Sequence, residues 1–225
     1  MIRGVIFDLD GTLLDSIGVY TEAFNRGIGK WGHKPVSQER IASFLNRGAS
    51  LAEILKALFP FLSDEEVSAY KQEILKAYLD LEKEKVFLQP GAREVLWELR
   101  EMGLRVGVVT GRATRGEEKW MELRRLGVDH LIEVMITGAE AARKPSPEGI
   151  VRCLEILKLS PGECVFVGDS EADIEMGKAA GVLTAVIPKG VASLEALKKR
   201  EPDVILSKLE ELPLWIRSSS RDHPS

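Results

Sequence analysis

The sequence predicts an α/β fold, in which a doubly wound, Rossmann-like parallel sheet carries an inserted, all-helical cap domain. Short apolar runs of strand length alternate with amphipathic segments of helix length through most of the 225 residues. The runs are apolar at successive positions, which is typical of strands that are covered on both faces. Residues 16–85 interrupt this alternation with helical patterning alone.

The composition excludes several classes of protein. The chain is 44% hydrophobic and 29% charged, with a net charge of −4, as in ordinary globular proteins and without the basic stripe of a nucleic-acid-binding surface. Two cysteines are too few for a disulfide framework, and no apolar run is long enough to span a bilayer. We therefore expect a cytoplasmic protein that binds neither nucleic acid nor a membrane, of unknown oligomeric state.

The elements of the α/β part follow in order along the chain. Strands are predicted at 5–7, 104–109, 131–136, 164–167, 183–187 and 204–206. An apolar stripe at Val95, Leu96, Leu99 and Met102, closed by Gly103, predicts the first helix of this part. Further helices are predicted at about 115–126, 147–157, 171–180 and 192–199. Alternation of this kind indicates a parallel sheet with right-handed crossovers.

Residues 16–85 are too long for a crossover between two strands and predict a helical cap domain. Ser50 with Glu53, and Ser63 with Glu66, have the spacing of capping boxes ahead of apolar stripes. The predicted core domain then comprises residues 1–15 and 86–217. The polar tail, 218–225, is expected to be disordered.

The first two strands carry polar groups to the edge of the sheet where ligands of open α/β folds bind. Asp8 and Asp10 follow the first strand, and alternate residues of extended backbone point the same way, so both carboxylates can reach one site. The second strand ends at Thr110, which offers a hydroxyl, and Gly111, which offers flexible backbone.

Two later segments add charged groups at the same edge. Lys144 is held in a proline-rich turn after the third strand, and Asp169 and Asp173 follow the fourth. Crowded carboxylates repel one another unless they protonate or a cation intervenes. Because oxygen ligands without His or Cys suit Mg²⁺, the sequence predicts a magnesium site here.

Four segments together resemble the motifs of the haloacid dehalogenase-like (HAD) hydrolase superfamily. They are "DLDGTLLDS", "VVTG", "RKPSP" and "GDSEADIEMGKAAG", in the order and approximate spacing of that family. The resemblance extends from about residue 2 to residue 212. Residues 16–85 are similar to the four-helix cap of the phosphoglycolate phosphatase and β-phosphoglucomutase groups.

The resemblance implies a role for each residue at the sheet edge. Asp8 would be the nucleophile that forms an aspartyl-phosphate, and Asp10 the general acid and then the general base. Thr110 and Lys144 would hold the phosphoryl oxygens, with Gly111 beside them. Mg²⁺ would be bound by Asp8, by the backbone carbonyl of Asp10 and by Asp169, with Asp173 as a direct or water-mediated ligand.

Three assignments have structural alternatives. Ser170 and Asp173 resemble a capping box, so Asp173 could cap a helix as well as serve the metal. Arg47, in "FLNRGAS", is expected either to bind an anionic substrate or to lie exposed in a turn. "TGR" departs from the Thr-Asn or Ser-Asn of many cap-bearing relatives, which leaves Arg112 either at the substrate or at the surface.

The leading hypothesis is a Mg²⁺-dependent phosphatase for a small phosphorylated metabolite, with phosphoglycolate as the first substrate to test. An acid two residues after the nucleophile favours an alkoxide leaving group over halide. A phosphosugar mutase of the β-phosphoglucomutase type is the alternative enzyme. A non-catalytic phosphate-binding protein is a third reading, which the presence of both Asp8 and Asp10 disfavours.

Overall fold

A computed structural model describes residues 1–112, 116–189 and 192–219 of the chain. The strands are β1 Gly4–Asp8, β2 Leu14–Asp15, β3 Phe87–Leu88, β4 Arg105–Val109, β5 Val134–Ile136, β6 Cys164–Gly168, β7 Leu183–Val186 and β8 Val204–Ile205. The α-helices are α1 Ile17–Gly29, α2 Gln38–Leu45, α3 Leu51–Leu58, α4 Asp64–Lys85, α5 Ala92–Glu101, α6 Gly116–Arg125, α7 Glu148–Leu157, α8 Glu171–Ala180, α9 Leu194–Lys199 and α10 Leu212–Ser219. Short 3₁₀ turns lie at Asp129–Leu131, Pro161–Glu163 and Leu209–Glu211.

Six strands form one parallel sheet in the order β5-β4-β1-β6-β7-β8. The chain therefore starts in the middle of the sheet, builds one side with β4 and β5, and then crosses to the other side. Ligands bind at such a reversal of strand order in open α/β sheets. The predicted α/β fold with a doubly wound parallel sheet is confirmed.

Helices cover both faces of the sheet, as the uninterrupted apolar strands predict. In β1, Val5 and Phe7 belong to one buried cluster, which includes apolar residues of α5, α6 and α10. Ile6 points to the opposite face, where it joins a second cluster with residues of α7 and α8. This two-sided burial explains why the strands are continuously apolar.

Helices α1–α4 lie between β2 and β3, and the predicted helical content of residues 16–85 is present. The two capping boxes expected from the sequence, Ser50 with Glu53 and Ser63 with Glu66, begin α3 and α4. A hydrophobic cluster of their own includes Phe24, Ile54 and other apolar side chains of these helices. Assignment of residues 16–85 to a separate domain stays a prediction.

A short antiparallel ladder joins the two chain segments that lead into and out of α1–α4. Leu14 pairs with Leu88 and Asp15 with Phe87. Next to this ladder, the Gln89 backbone N–H donates to Leu13 O at 2.8 Å. The sequence did not predict these two strands, because two residues are too few to show a periodic pattern.

The structure differs from the predicted elements in two places. The predicted strand 131–136 begins instead with the 3₁₀ turn Asp129–Leu131, and only Val134–Ile136 pairs with β4. The predicted disordered tail overlaps the end of α10, which continues to Ser219, while residues 220–225 lie outside the described part of the chain. No helix among the described residues is long and apolar enough to cross a membrane.

Candidate active site

The polar groups predicted at the sheet edge lie at the carboxyl ends of three neighbouring strands. β1 is hydrogen-bonded to β4 on one side and to β6 on the other. Asp8 ends β1, Thr110 follows β4, and Asp169 follows β6. All three side chains are buried. The parallel pairing of three central strands therefore brings together residues that are far apart in the sequence.

Three carboxylates form a buried cluster at this edge. Asp8, Asp169 and Asp173 each place one oxygen within 4.8 Å of the others. Burial raises the pKa of Asp8 to about 7, against the opposing charge of Lys144. Burial, together with the charges of Asp173 and Asp8, raises the pKa of Asp169 well above its ordinary range. Desolvation and mutual repulsion thus disfavour three negative charges at this point.

Lys144 is a cation that the protein itself supplies to the cluster. Its ammonium group donates a hydrogen bond to Asp8 Oδ1 and forms an ion pair with Asp173 Oδ1 at 2.5 Å. Burial opposes the charged form, but Asp173 and Asp8 raise the pKa of Lys144, which therefore stays protonated. One lysine offsets part of the charge of three carboxylates.

The cluster has spare oxygen that fits a hard cation. Asp169 Oδ2 is buried, and it has no hydrogen-bond partner within the described part of the chain. A buried carboxylate oxygen without a partner is costly, since it loses water and gains no hydrogen bond. Carboxylate oxygens are ligands that hard cations such as Mg²⁺ prefer.

Asp173 both caps α8 and faces the cluster. Its Oδ2 accepts hydrogen bonds from the Ser170 N–H at 3.1 Å and from the Ser170 hydroxyl at 2.5 Å, and the Asp173 N–H donates to Ser170 Oγ at 3.2 Å. Its other oxygen pairs with Lys144. The helix-capping alternative from the sequence is therefore present, and the other oxygen of the same carboxylate faces Lys144. The metal-binding role of Asp173 stays a prediction.

Asp10 has partners different from those of Asp8. The Ser16 hydroxyl donates to Asp10 Oδ1 at 2.8 Å, and the Arg112 guanidinium donates to both carboxylate oxygens, with Nε at 2.6 Å from Oδ2. Burial alone would raise the pKa of Asp10, but the charge and hydrogen bonds of Arg112 outweigh burial and lower it to about 2. Asp10 is ionised in this arrangement.

Arg112 continues from Asp10 to helix α4. It donates to Glu82 Oε1 at 2.7 Å and to the Tyr78 hydroxyl, and its guanidinium lies 4.4 Å from the centre of the Tyr78 ring. Lys119, on α6, also contacts Glu82 Oε1 at 2.5 Å and is almost fully buried. The sequence pointed to neither Glu82 nor Lys119, since a charged residue within a helical pattern is normally interpreted as exposed.

Thr110, Gly111 and Lys144 together line one pocket. Their binding of a phosphoryl group stays a prediction. The Thr110 hydroxyl lies 3.5 Å from Asp10 Oδ2 and also accepts a hydrogen bond from the Arg112 N–H at 3.3 Å. Thr137, after β5, and Arg143 also line this pocket.

Arg47 lies apart from the carboxylates in this structure. Its side chain is exposed, its Nε donates to Ser43 O at 3.2 Å, and its guanidinium is 5.8 Å from the Phe44 ring centre. The neighbouring Asn46 makes the contact with the core instead. Its side-chain oxygen accepts from the Glu171 N–H at 2.8 Å, at the first residue of α8, and its amide donates to the Glu171 carboxylate at 2.6 Å.

Comparisons with known proteins agree with the motifs. The family described as haloacid dehalogenase-like hydrolase matches residues 5–187. Pyrophosphatase PpaX of Bacillus pumilus (strain SAFR-032) is 31% identical over 214 residues, which cover 94% of each chain.

Solved structures agree with the fold. A structure from Haemophilus somnus 129pt, named a phosphoglycolate phosphatase by prediction, is 23% identical with a TM-score of 0.84, over 96% of this chain and 98% of that one. A structure from Thermotoga maritima, provisionally named a β-phosphoglucomutase, is 26% identical with a TM-score of 0.73, over 96% of this chain and 99% of that one.

Gly11 is the one glycine of the turn after β1, and it allows the Asp169 carboxylate to approach. Its φ is +88°, in the left-handed region that favours glycine, and a Cβ at this position would overlap the Asp169 carboxylate. Gly111 provides a control in the neighbouring loop, because no atom of the described residues lies within 4 Å of a Cβ placed there, and its φ is not positive.

We predict that Gly11→Ala lowers the free energy of unfolding by about 1–3 kcal/mol, because the backbone is strained and a buried carboxylate is displaced. Gly111→Ala should change it by less than about 0.5 kcal/mol. Urea unfolding of both variants, followed by circular dichroism, measures the difference. Equal stability of the two variants would contradict the close packing of Gly11 against Asp169.

Proposed function

The chain belongs to the haloacid dehalogenase-like hydrolase family as a phosphatase, and from that premise we propose that it hydrolyses a small phosphomonoester through an aspartyl-phosphate on Asp8. The observation that carries this proposal is that the carboxylates of Asp8 and Asp10, two residues apart, have different interaction partners. Asp8 faces Lys144 and the acidic cluster, whereas Asp10 is held by Ser16 and Arg112. Two carboxylates in such different surroundings suit two different chemical tasks.

In the first step, a carboxylate oxygen of Asp8 attacks phosphorus, and the bond from phosphorus to the leaving oxygen breaks. Asp10 gives its proton to that leaving oxygen, which departs as an alcohol. The negative charge of a bound phosphate ester favours the protonated form of Asp10 that this step needs. Lys144 and the Thr110 hydroxyl bind the phosphoryl oxygens and hold phosphorus in line with Asp8.

In the second step, water attacks the phosphorus of the aspartyl-phosphate. Asp10, now ionised, accepts a proton from that water, and the bond between phosphorus and Asp8 breaks. The products are inorganic phosphate and the original Asp8 carboxylate, with Asp10 protonated for the next turnover. Covalent catalysis of this kind divides one difficult displacement into two easier ones.

Mg²⁺ fits the acidic cluster, where Asp8, the Asp10 backbone carbonyl, Asp169 and Asp173 would hold it. The unpartnered Oδ2 of Asp169 supports this assignment. When bound, the ion would supply positive charge against the phosphoryl oxygens and against the carboxylates themselves.

Helices α1–α4 are proposed to close over the substrate, exclude bulk water and limit the size of the leaving group. Phosphoglycolate is the first candidate. Pyrophosphate is the second, because a relative that is 31% identical carries the name pyrophosphatase, and with pyrophosphate the leaving group is phosphate in place of an alcohol. A phosphosugar mutase is the alternative, which the likeness to the Thermotoga maritima structure favours. The predicted cytoplasmic location stays a prediction.

We predict that Asp8→Asn lowers phosphatase turnover by about 10³-fold or more while the protein stays folded, because an amide cannot attack phosphorus. Asp15→Asn, at an exposed aspartate of the β2–β3 ladder, makes the same chemical change and should leave turnover near the wild-type level. Phosphate release and thermal unfolding check both variants. Appreciable turnover by Asp8→Asn would exclude Asp8 as the nucleophile.

A chelator of divalent cations is expected to abolish turnover, and added Mg²⁺ should restore it. Mg²⁺ should also raise the midpoint of thermal unfolding of the wild type, because a ligand that binds only the folded state stabilises it. Asp169→Asn should lose most of that increase. An equal Mg²⁺-dependent increase in the variant would remove Asp169 from the metal site.

The substrate is identified by phosphate release, with Mg²⁺ present, from phosphoglycolate, sugar phosphates, nucleoside monophosphates and pyrophosphate. We expect phosphoglycolate or pyrophosphate to give the largest kcat/KM. Nuclear magnetic resonance of the sugar phosphates detects isomerisation without release. Isomerisation together with no release from any compound would replace the phosphatase proposal with the mutase.

A further inference from the structure

Arg112 donates hydrogen bonds to both oxygens of the Asp10 carboxylate. Its Nε donates to Asp10 Oδ2 at 2.6 Å, and its Nη2 donates to Oδ1. Paired hydrogen bonds of this kind fix the plane of a carboxylate as well as its position, which a single contact does not. Both side chains are partly buried, with 17% of the Arg112 side chain and 30% of the Asp10 side chain exposed, so these bonds are partly shielded from water.

The remaining contacts of Arg112 lead to the last turns of α4. Nη1 donates to Glu82 at 2.7 Å, and Nη2 donates to the Tyr78 hydroxyl. An arginine side chain has five N–H donors. Arg112 uses four of them for hydrogen bonds to Asp10, Glu82 and Tyr78. Arg112 therefore has little free donor capacity for a substrate, and its contacts are those of a link between Asp10 and α4.

Glu82 in turn is fixed to the α/β part of the chain. Lys119 of α6 contacts the same Glu82 oxygen at 2.5 Å and also pairs with Glu122 at 2.7 Å. Lys119 and Glu122 are buried. A buried carboxylate that loses one of two cationic partners pays a large desolvation cost, so Glu82, Arg112 and Lys119 are expected to move together.

The other end of α1–α4 also reaches Asp10. Ser16 directly precedes α1, and its hydroxyl donates to Asp10 Oδ1 at 2.8 Å rather than capping that helix. The Asp10 carboxylate is thus linked to both ends of the segment α1–α4. Ser16, at the start of the segment, contacts it directly, and Glu82, near the end, is linked to it through Arg112.

We propose that Arg112 is a positioning residue for proton transfer by Asp10, and that Glu82 makes this positioning depend on how α4 is seated on the core. The inference rests on the proposed role of Asp10 as general acid. It adds Arg112 and Glu82 to the residues that serve proton transfer, and both act through protein contacts.

A positioning role for Arg112 makes the effect of its loss depend on the leaving group, which a purely structural role does not. A poor leaving group needs a proton as it departs, whereas a good one, such as 4-nitrophenolate, leaves without it. A misplaced general acid therefore slows the hydrolysis of phenyl phosphate more than that of 4-nitrophenyl phosphate, although the two esters are similar in size. The ratio of their kcat/KM values reports proton donation in the step that forms the aspartyl-phosphate.

We predict that Arg112→Met lowers kcat/KM for phenyl phosphate by about 10²-fold, which is the lower end of the range for general acid catalysis. The same variant should lower kcat/KM for 4-nitrophenyl phosphate by less than about threefold. Arg112→Lys keeps the charge without the paired geometry and should show the same selectivity to a smaller degree. It also provides a folded variant if the methionine variant is unstable, which thermal unfolding checks.

Glu82→Gln tests the connection to α4. It should show the same preferential loss on phenyl phosphate, and its effect should not add to that of Arg112→Met in the double variant, because the two residues act through one contact. Asn46→Ala is the matched control, since it removes a contact between the helical segment and α8 that does not involve Asp10. It should change both esters by the same factor.

Asp10→Asn separates the two proposals. If it shows the preferential loss but Arg112→Met slows both esters equally, Arg112 is a structural residue and the further inference is wrong, while the proposed function stands. If Asp10→Asn itself slows both esters equally, Asp10 is not the general acid, and the proposed mechanism falls together with the inference. Additive effects of Arg112→Met and Glu82→Gln would remove the link to α4.

Discussion

Mutual repulsion among three buried carboxylates is the constraint on which the rest of the site depends. Asp8, Asp169 and Asp173 lie close enough to share one cation, and burial makes their charges costly. Lys144 offsets part of that charge. An arrangement that opposes folding and persists is typical of a functional site, and uncompensated negative charge of this kind attracts a metal ion.

The topology of the sheet makes this concentration of charge possible. β1 is the central strand, and its neighbours β4 and β6 deliver Thr110 and Asp169 to either side of Asp8. Each strand is buried on both faces, so packing on both sides of the sheet fixes the position of its carboxyl end. The close approach of the Asp169 carboxylate then depends on Gly11, because a Cβ at position 11 would overlap that carboxylate.

The sequence predicted the parts of the site that follow from a single strand end, and it missed the parts that arise between distant helices. Asp8, Thr110 and Asp169 each follow an apolar run, so the strand pattern alone places them at one edge. Arg112 is 102 residues from Asp10 and 30 from Glu82, and no local periodicity links them. The contact of Asn46 with α8 was not predicted for the same reason, because no local pattern distinguishes Asn46 from the neighbouring Arg47. The alternative in which Arg47 binds the substrate stays a prediction.

Under the proposed function, the contacts of Asp10 connect the selection of substrate by the helical segment to proton transfer. Ser16 and Glu82 lie at opposite ends of the helical segment 16–85, and both reach the same carboxylate, the first directly and the second through Arg112. If Arg112 sets the position of Asp10, a leaving group too large for the closed segment lifts α4 and also misplaces the proton donor. An oversized ester is then rejected at the proton-transfer step as well as at binding. Discrimination of this kind exceeds what a hydrophobic pocket alone provides, because one misfit lowers both affinity and rate.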